Sequence, residues 1–150
     1  MQKITTFLTY DNQAEDAMNF YTSVFKNSKI KSVMRNGNMF FGGTLEIGGQ
    51  EFFLLNGGPT FTFSLGISLF VSCPTQEEID YYWEKLSEGG RKDRCGWLQD
   101  KFGVSWQIVP PILGVLLGDE DAAKSQRVMQ AMLKMDKLDI NGLKGAANQN

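Results

Sequence analysis

Two helical patterns with the same spacing of apolar residues, 62 positions apart, constrain the fold of this 150-residue chain more than any other feature. The first pattern contains Ala17, Phe20, Tyr21 and Val24, and the second contains Ile79, Tyr82, Trp83 and Leu86. Both have the spacing of an amphipathic helix. Each helix follows one strand-like segment and precedes three more, which predicts that one β-α-β-β-β unit is duplicated. Chance similarity between two amphipathic helices remains open at this point.

The first unit shows strand-like alternation and turn residues in a regular order. We expect its strands over residues 3–10, 29–35, 40–47 and 50–56. Asn12, with Glu15 three residues later, indicates the start of the helix through a capping box. Residues 36–38 and the pair Gly48-Gly49 predict hairpin turns, because tight two-residue turns need positive φ angles.

The second unit repeats this order and leads into a helical segment. We expect its strands over residues 67–72, 91–94, 95–100 and 104–109. Thr75 and Glu78 form a capping box that begins the helix. Pro110-Pro111 ends the last strand. A further amphipathic helix begins near residues 119–121, and its methionines are expected to fill a core or a dimer interface rather than to hold a cofactor.

Composition excludes several classes of function. Fifteen basic and 17 acidic residues give a net charge of −2, so binding to nucleic-acid phosphates is not expected. The chain has no histidine, which excludes a histidine-based triad, a histidine-containing zinc site and an imidazole base. The glycine-rich turns lack the strand-Gly-x-Gly-x-x-Gly-helix context of a dinucleotide fold or of the usual methyltransferase nucleotide loop.

The cysteines and the apolar segments indicate a cytoplasmic protein. Cys73 and Cys95 lie 22 positions apart without a Cys-x-x-Cys pair, which favours free thiols in a reducing compartment. No signal-peptide pattern follows Met1. The uncharged stretch 52–76 is broken by Asn-Gly-Gly-Pro at 56–59, so we expect two strands there and no membrane span.

Three stretches of the chain, residues 7–21, 77–86 and 95–110, carry a resemblance to a known family, and the last is the most specific. The sequence resembles PhnB-like members of the vicinal oxygen chelate superfamily, which has the glyoxalase/bleomycin resistance/dioxygenase fold. With the helical C-terminal segment, the similarity extends over nearly the whole chain. Such proteins are often described as 3-demethylubiquinone-9 3-methyltransferase-like, a name that their fold does not support.

The resemblance implies an α+β fold made of two βαβββ modules, at residues 1–58 and 64–110, followed by a helical segment at 111–145. The two modules form a single domain. In the superfamily the concave faces of paired modules enclose a small-molecule pocket, and the pairs come from one chain or are exchanged across a homodimer. A homodimer is therefore expected, although the resemblance leaves the mode of pairing open.

The resemblance also locates the metal ligands of metal-dependent relatives. The last-strand glutamate falls on Gln107 in the second module and approximately on Phe53 in the first. The first-strand ligands fall around residues 4–6 and 66–68. None of these residues is a histidine or a carboxylate, so no metal site and no cofactor are expected.

The candidate ligand-binding residues are six side chains of the two modules: Gln107, Ser105, Trp97, Phe53, Ser68 and Cys95. Strand alternation places Gln107, Ser105, Ser68 and Phe70 on the concave side, and it turns Ile67, Leu69 and Val71 towards the helix. An amide there can donate to and accept from a ligand, but a glutamine that only bonds a neighbouring strand is an equal alternative. Trp97 and Phe53 provide flat walls, although structural packing is the commoner use of such rings.

Cys95 lies beside Arg91, Lys92 and Arg94, and a positive setting favours a reactive thiolate. A loop cysteine among solvated charges is the alternative. The leading hypothesis is a metal-independent protein that binds an unidentified small molecule. The rivals are a lyase, isomerase or dioxygenase with unconventional ligands or Cys95, a purely structural dimer and, last, a methyltransferase.

Overall fold

A computed structural model describes residues 2–149 of the chain and divides into two compact units, Met1–Phe63 and Ser64–Asn150. Each unit contains a four-stranded mixed sheet with one helix packed against it, and the second unit carries three further helices. This is the α+β architecture with a duplicated βαβββ order and a helical C-terminal segment that the sequence predicts.

The first unit has five elements in the order strand, helix and three strands. They are β1 (Thr6–Tyr10), α1 (Ala14–Val24), β2 (Ser28–Asn36), β3 (Met39–Ile47) and β4 (Gln50–Asn56). The strand order in the sheet is β1-β4-β3-β2, with β1 parallel to β4 and the other pairs antiparallel. Gly48 and Gly49, with φ angles of 58° and 83°, form the β3–β4 turn, as predicted.

Helix α1 covers one face of this sheet. Leu8, Leu45 and Leu54 are buried on that face, and the hydroxyl groups of Tyr10 and Tyr21 lie 3.1 Å apart between β1 and α1. Burying these side chains on one face leaves the alternate strand residues on the other. We use the term open face for the side of a sheet that points away from its packed helix.

The second unit begins with the same order of elements. They are β5 (Leu69–Ser72), α2 (Gln76–Ser87), β6 (Arg91–Lys92), β7 (Trp97–Gln99) and β8 (Ser105–Val109), and the strand order is β5-β8-β7-β6. Strands β5 and β8 are parallel. Ile79, Trp83 and Leu86 of α2 are buried, together with Leu98 and Ile108 of the sheet.

The two helix starts differ in how well the sequence predicts them. The Thr75 hydroxyl accepts a hydrogen bond from the Glu78 backbone N–H at 3.2 Å, so this cap is confirmed. The cap at Asn12 is wrong: α1 begins after Gln13, which makes no side-chain capping bond. The Asn56 side chain, at the end of β4, instead accepts from the backbone N–H of Ala14 at 2.8 Å.

The strands of the second unit are shorter than the expected ones. Strand β5 begins at Leu69 rather than at Ile67, and Ile67 is 70% exposed, so it does not pack against α2 as predicted. Residues 93–96 form a turn between β6 and β7, where Cys95 and Gly96 have positive φ angles that no strand residue adopts.

Three helices, rather than the single one predicted, form the C-terminal appendage. They are α3 (Pro111–Leu117), α4 (Ala122–Leu133) and α5 (Ile140–Ala147). Proline at the first position begins α3, while Asp121 and Asp139 cap α4 and α5 through their carboxylates. Val128, Leu138 and Leu143 are fully buried in a core that also contains Val109 of β8 and contacts two of the methionines. Met132 and Met135 therefore pack against a core, whereas Met129 is exposed.

Within residues 2–149, no helix has both the length and the apolar character that a membrane span requires.

Candidate functional site

The open face of the second sheet carries a row of three neighbouring side chains. Gln107 on β8 lies opposite Phe70 on β5 and opposite Trp97 on β7. Phe70 is exposed, whereas Gln107 and Trp97 are half-buried. Because directly paired residues of adjacent strands project to the same face, the sheet brings an amide between two aromatic rings.

Gln107 also contacts Ser68, another predicted site residue. Its Nε2 atom donates to the Ser68 hydroxyl over 2.9 Å. This bond joins β8 to the segment before β5. It resembles the alternative considered above, in which the glutamine only bonds a neighbouring part of the sheet. Within the part of the chain that the structure describes, no bond to the Gln107 Oε1 atom is found, so that carbonyl can still accept from a ligand.

A surface cleft of about 530 Å³ lies beside this row. Trp97 and Ser105, both predicted from the sequence, line it together with Leu65. Its volume is in the range of small-molecule sites, which is roughly 300–1,000 Å³. The second sheet thus brings Trp97 and Ser105 to one cleft and places Gln107 next to Trp97.

Charged side chains complete the cleft. Arg91, Lys92 and Arg94 line it with Asp93 and Asp136, so basic groups outnumber acidic ones by one. Arg91 is held by Asp93 through two bonds of 2.9 and 3.1 Å. Arg94 is held less closely, because its Nε atom lies 4.0 Å from an Asp136 oxygen. Lys92 is held by Glu84, which lies outside the cleft, over 2.9 Å. Arg94 has the most distant carboxylate partner of the three basic residues, so it is the group best placed to meet an anionic ligand.

Phe53 belongs to the first unit, where it lies on the open face of that sheet. Its ring meets the ring of Phe7 edge to face, with centroids 6.0 Å apart, and both rings are exposed. On the same sheet Lys31 forms ion pairs with Glu46 and Glu51, and its bond to Glu51 raises the Lys31 pKa. The role of Phe53 in ligand binding stays a prediction.

Cys95 points away from the cleft and towards the appendage. Its thiol donates to the Met132 carbonyl over 3.5 Å, and it is not among the residues that line the cleft. Its φ angle of 59° makes it the only non-glycine residue with positive φ in the described part of the chain. The Cys95 thiol therefore has a partner in α4, and Cys95 itself lies in a loop beside exposed charged residues, as the alternative to a reactive thiolate describes.

Sequence reasoning missed three residues of the cleft, Leu65, Asp93 and Asp136. Leu65 lies in a loop without periodicity, and Asp136 follows α4 at a distance of 42 positions from Arg94. No local pattern marks Leu65 or Asp136, because each reaches the cleft through the path of a segment that is distant from β7 in sequence. The sequence singles out the other five lining residues, Arg91, Lys92, Arg94, Trp97 and Ser105.

The residues at the positions of the family's metal ligands do not fit a divalent cation. Gln107 offers a neutral amide and Phe53 a phenyl ring, neither of which replaces carboxylate or imidazole. Across residues 2–149, no group of three or more His, Cys, Asp or Glu side chains is arranged to hold a metal ion.

Comparisons with known proteins agree with this fold. A family model described as 3-demethylubiquinone-9 3-methyltransferase matches residues 2–109. No curated protein matches the chain. A PhnB protein from Bacillus cereus shares 40% sequence identity and a TM-score of 0.68, over 73% of this chain and 99% of that protein.

More distant structures share the fold alone. Protein PA1353 from Pseudomonas aeruginosa is 16% identical, with a TM-score of 0.59 over 73% of this chain and 98% of its own. The fosfomycin resistance protein FosX from Listeria monocytogenes, in complex with Mn(II) and sulfate, is 14% identical. Its TM-score is 0.52 over 72% of this chain and 92% of FosX. The family match ends at residue 109, so the expectation that the resemblance extends through the C-terminal segment is not met.

Proposed function

We propose that this chain, which belongs to the family described as 3-demethylubiquinone-9 3-methyltransferase, binds a small planar anion without a metal ion. Within that family it is a PhnB-like member of the vicinal oxygen chelate superfamily. The observation that carries the proposal is the cleft in which Trp97 and Ser105 meet the loosely paired guanidinium group of Arg94. Gln107 extends this surface through its pairing with Trp97.

The chemistry of the lining residues supports a flat ligand with one oxyanion. The Trp97 ring offers an apolar face for stacking. Arg94 offers planar N–H donors that match a carboxylate in a bidentate arrangement. Ser105 and the Gln107 carbonyl provide polar contacts that fix the orientation of the ligand.

Binding without a metal ion is supported by the donor set. The family's ligand positions carry Gln107 and Phe53, and the residues around 4–6 and 66–68 are also neither histidine nor carboxylate. Such groups do not supply the negative charge that balances a divalent cation. We therefore expect the guanidinium groups of the cleft to neutralise the ligand instead.

The rival activities receive less support. A reaction that depends on Cys95 requires its thiol at the ligand, and that thiol contacts the Met132 carbonyl. A methyltransferase needs a nucleotide-binding loop between a strand and a helix, whereas Gly48-Gly49 joins two antiparallel strands. We expect no heat of S-adenosylmethionine binding in calorimetry.

We also propose a cytoplasmic homodimer. Apolar side chains are exposed on the open face of each sheet, including Phe7 and Phe53 in the first unit and Phe70 in the second. Exposed apolar patches of this kind mark contacts with a ligand or with another chain. Both cysteines are free thiols, as is common in a reducing compartment. We expect sedimentation equilibrium to give a molar mass of twice that of the monomer.

A titration with 2-naphthoate and its neutral analogue 2-naphthamide tests the binding proposal. We expect the carboxylate to bind at least tenfold more tightly than the amide, with shifts of the Trp97 indole N–H resonance in NMR spectra. Arg94→Gln is expected to weaken naphthoate binding at least fivefold, because it removes a charge-assisted contact.

Lys85→Gln serves as the matched control, since it removes one exposed positive charge on α2 outside this cleft. Its naphthoate affinity is expected to equal that of the wild type. Equal affinities for naphthoate and naphthamide, or equal losses in both variants, would contradict the proposal.

A further inference from the structure

The segment between α4 and α5 holds the turn that precedes β7. The backbone N–H groups of Cys95 and Gly96 donate to the carbonyls of Met135 and Asp136 over 2.9 and 2.8 Å. The Cys95 thiol adds a bond to the Met132 carbonyl. A non-glycine residue rarely adopts a positive φ angle unless its surroundings impose it. These bonds from the appendage therefore fix the conformation of the turn.

This turn carries Arg94 and leads directly into Trp97 of β7, and both residues line the cleft. The Trp97 backbone N–H donates to the Arg94 carbonyl over 3.1 Å, which closes the turn. Asp136 lines the same cleft, with its carboxylate facing Arg94. Because the family match ends at residue 109, Asp136 is a contribution to the cleft from outside the family's two modules.

The ion pair between Arg94 and Asp136 is weak enough for a ligand to replace. The two closest atoms lie 4.0 Å apart, and the side chains are 75% and 69% exposed. An exposed pair at this distance is screened by water and salt. The Arg94 Nη1 atom also donates to the Leu133 carbonyl over 3.4 Å, at the long end of hydrogen-bond distances. The bidentate pair of Arg91 and Asp93 is shorter than either contact of Arg94, so Arg94 is the guanidinium more readily available to an incoming anion.

We propose that Asp136 is a specificity-determining residue of the cleft, whose carboxylate competes with the ligand's anionic group for Arg94. The inference rests on the proposed binding of an anion in this cleft. A carboxylate that engages the guanidinium in a bidentate manner displaces Asp136. A monodentate anion such as chloride does so poorly, because Asp136 remains nearby and repels it. The appendage thereby selects planar carboxylates over simple anions.

Asp136→Asn tests this competition, because it removes the charge but keeps the backbone carbonyl that binds Gly96. We expect 2-naphthoate to bind at least threefold more tightly to the variant, while 2-naphthamide affinity stays unchanged. Chloride is expected to compete with naphthoate more effectively in the variant than in the wild type. In an Arg94→Gln background the effect of Asp136→Asn is expected to vanish, since the two residues act as a pair.

Glu120→Gln is the control, because it removes an exposed carboxylate of the appendage that does not line the cleft. Its naphthoate affinity is expected to match the wild type. If the wild type binds naphthoate through Arg94 and Asp136→Asn leaves the affinity unchanged or weaker, the competition is wrong and the proposed function stands. If neither protein binds naphthoate, both proposals are wrong.

Discussion

Trp106 donates its indole N–H to the Asp100 carboxylate over 2.8 Å, and the two residues are only 3% and 2% exposed. The other carboxylate oxygen accepts from the backbone N–H groups of Phe102 and Val104. One buried carboxylate thus ties the β7–β8 turn to the strand that carries Gln107.

Asp100→Ala is expected to lower the free energy of unfolding by about 3 kcal/mol or more, because it leaves three hydrogen-bond donors without their acceptor. Urea denaturation measures this loss. Asp16→Ala is the control, since Asp16 is an exposed carboxylate of α1, and we expect a change within about 0.5 kcal/mol. Equal losses in the two variants would show that the buried bonds contribute nothing.

Gly96→Ala is expected to destabilise the protein more than Gly37→Ala. Both glycines have positive φ angles, of 81° and 62°, so each substitution costs about 1–2 kcal/mol in backbone strain. An added Cβ at Gly96 would lie 2.8 Å from the Ile108 carbonyl oxygen, whereas at Gly37 it meets nothing within 4 Å. Thermal unfolding of both variants measures the difference, and equal shifts in Tm would contradict the crowding at Gly96.

Cys73 is expected to resist alkylation in the folded protein. It is fully buried, and burial, with a smaller contribution from Glu78, raises its pKa from 9.0 to about 12. The reactive thiolate is therefore scarce at pH 8. Iodoacetamide labelling followed by peptide mass spectrometry is expected to modify Cys73 only after unfolding. Rapid labelling in the native state would contradict this environment.

The same thiol predicts a loss of stability in alkali. The unfolded chain releases the Cys73 proton near pH 9, whereas the folded chain keeps it until about pH 12. The contribution to stability is therefore complete below pH 9 and is lost as the pH rises from 9 towards 12. Urea denaturation at pH 8, 9, 10 and 11 is expected to give a shallower decline for Cys73→Ala than for the wild type. Parallel declines would rule out this linkage.

Gln76→Ala is expected to loosen the appendage. The Gln76 side chain donates to the Leu138 carbonyl over 3.0 Å and accepts from the Ile140 backbone N–H over 2.8 Å. Losing both bonds is expected to cost about 1–3 kcal/mol and to speed hydrogen exchange at the Ile140 amide. Gln126→Ala, at an exposed position of α4, is the control. Unchanged exchange at Ile140 in Gln76→Ala would show that this contact does not anchor α5.

Chelation is expected to leave ligand binding intact. After dialysis against EDTA, the affinity for 2-naphthoate should equal that of the untreated protein, because guanidinium groups rather than a cation neutralise the ligand. Elemental analysis of the purified protein is expected to find no divalent ion in stoichiometric amount. A stoichiometric ion whose removal abolishes binding would overturn metal independence.

Local patterns predicted much of the fold because the interactions that form it are local. Thr75 caps α2 with a residue three positions away, and Gly48-Gly49 forms a turn from its own φ preferences. Strand alternation alone places Gln107 and Phe70 on one face, where the structure pairs them. These features require no knowledge of the rest of the chain.

The failures involve partners that are distant in sequence. Asn56 caps α1 from 42 positions away, so the local candidate Asn12 was the wrong choice. Ile67 continues the apolar alternation of β5 but lies before the strand begins, where no helix residue covers it. Asp136 is held at the cleft because its own carbonyl accepts from the Gly96 N–H and the Met135 carbonyl accepts from the Cys95 N–H, and no local sequence pattern indicates those contacts.

The hydrogen bonds between the 132–136 segment and the Cys95-Gly96 turn also bear on how such proteins diverge. The sheet can remain as it is while the helices after residue 109 change in length or sequence. Under the proposed competition between Asp136 and a bound anion, a lineage that alters only this tail would change its ligand preference without a single replacement in the strands.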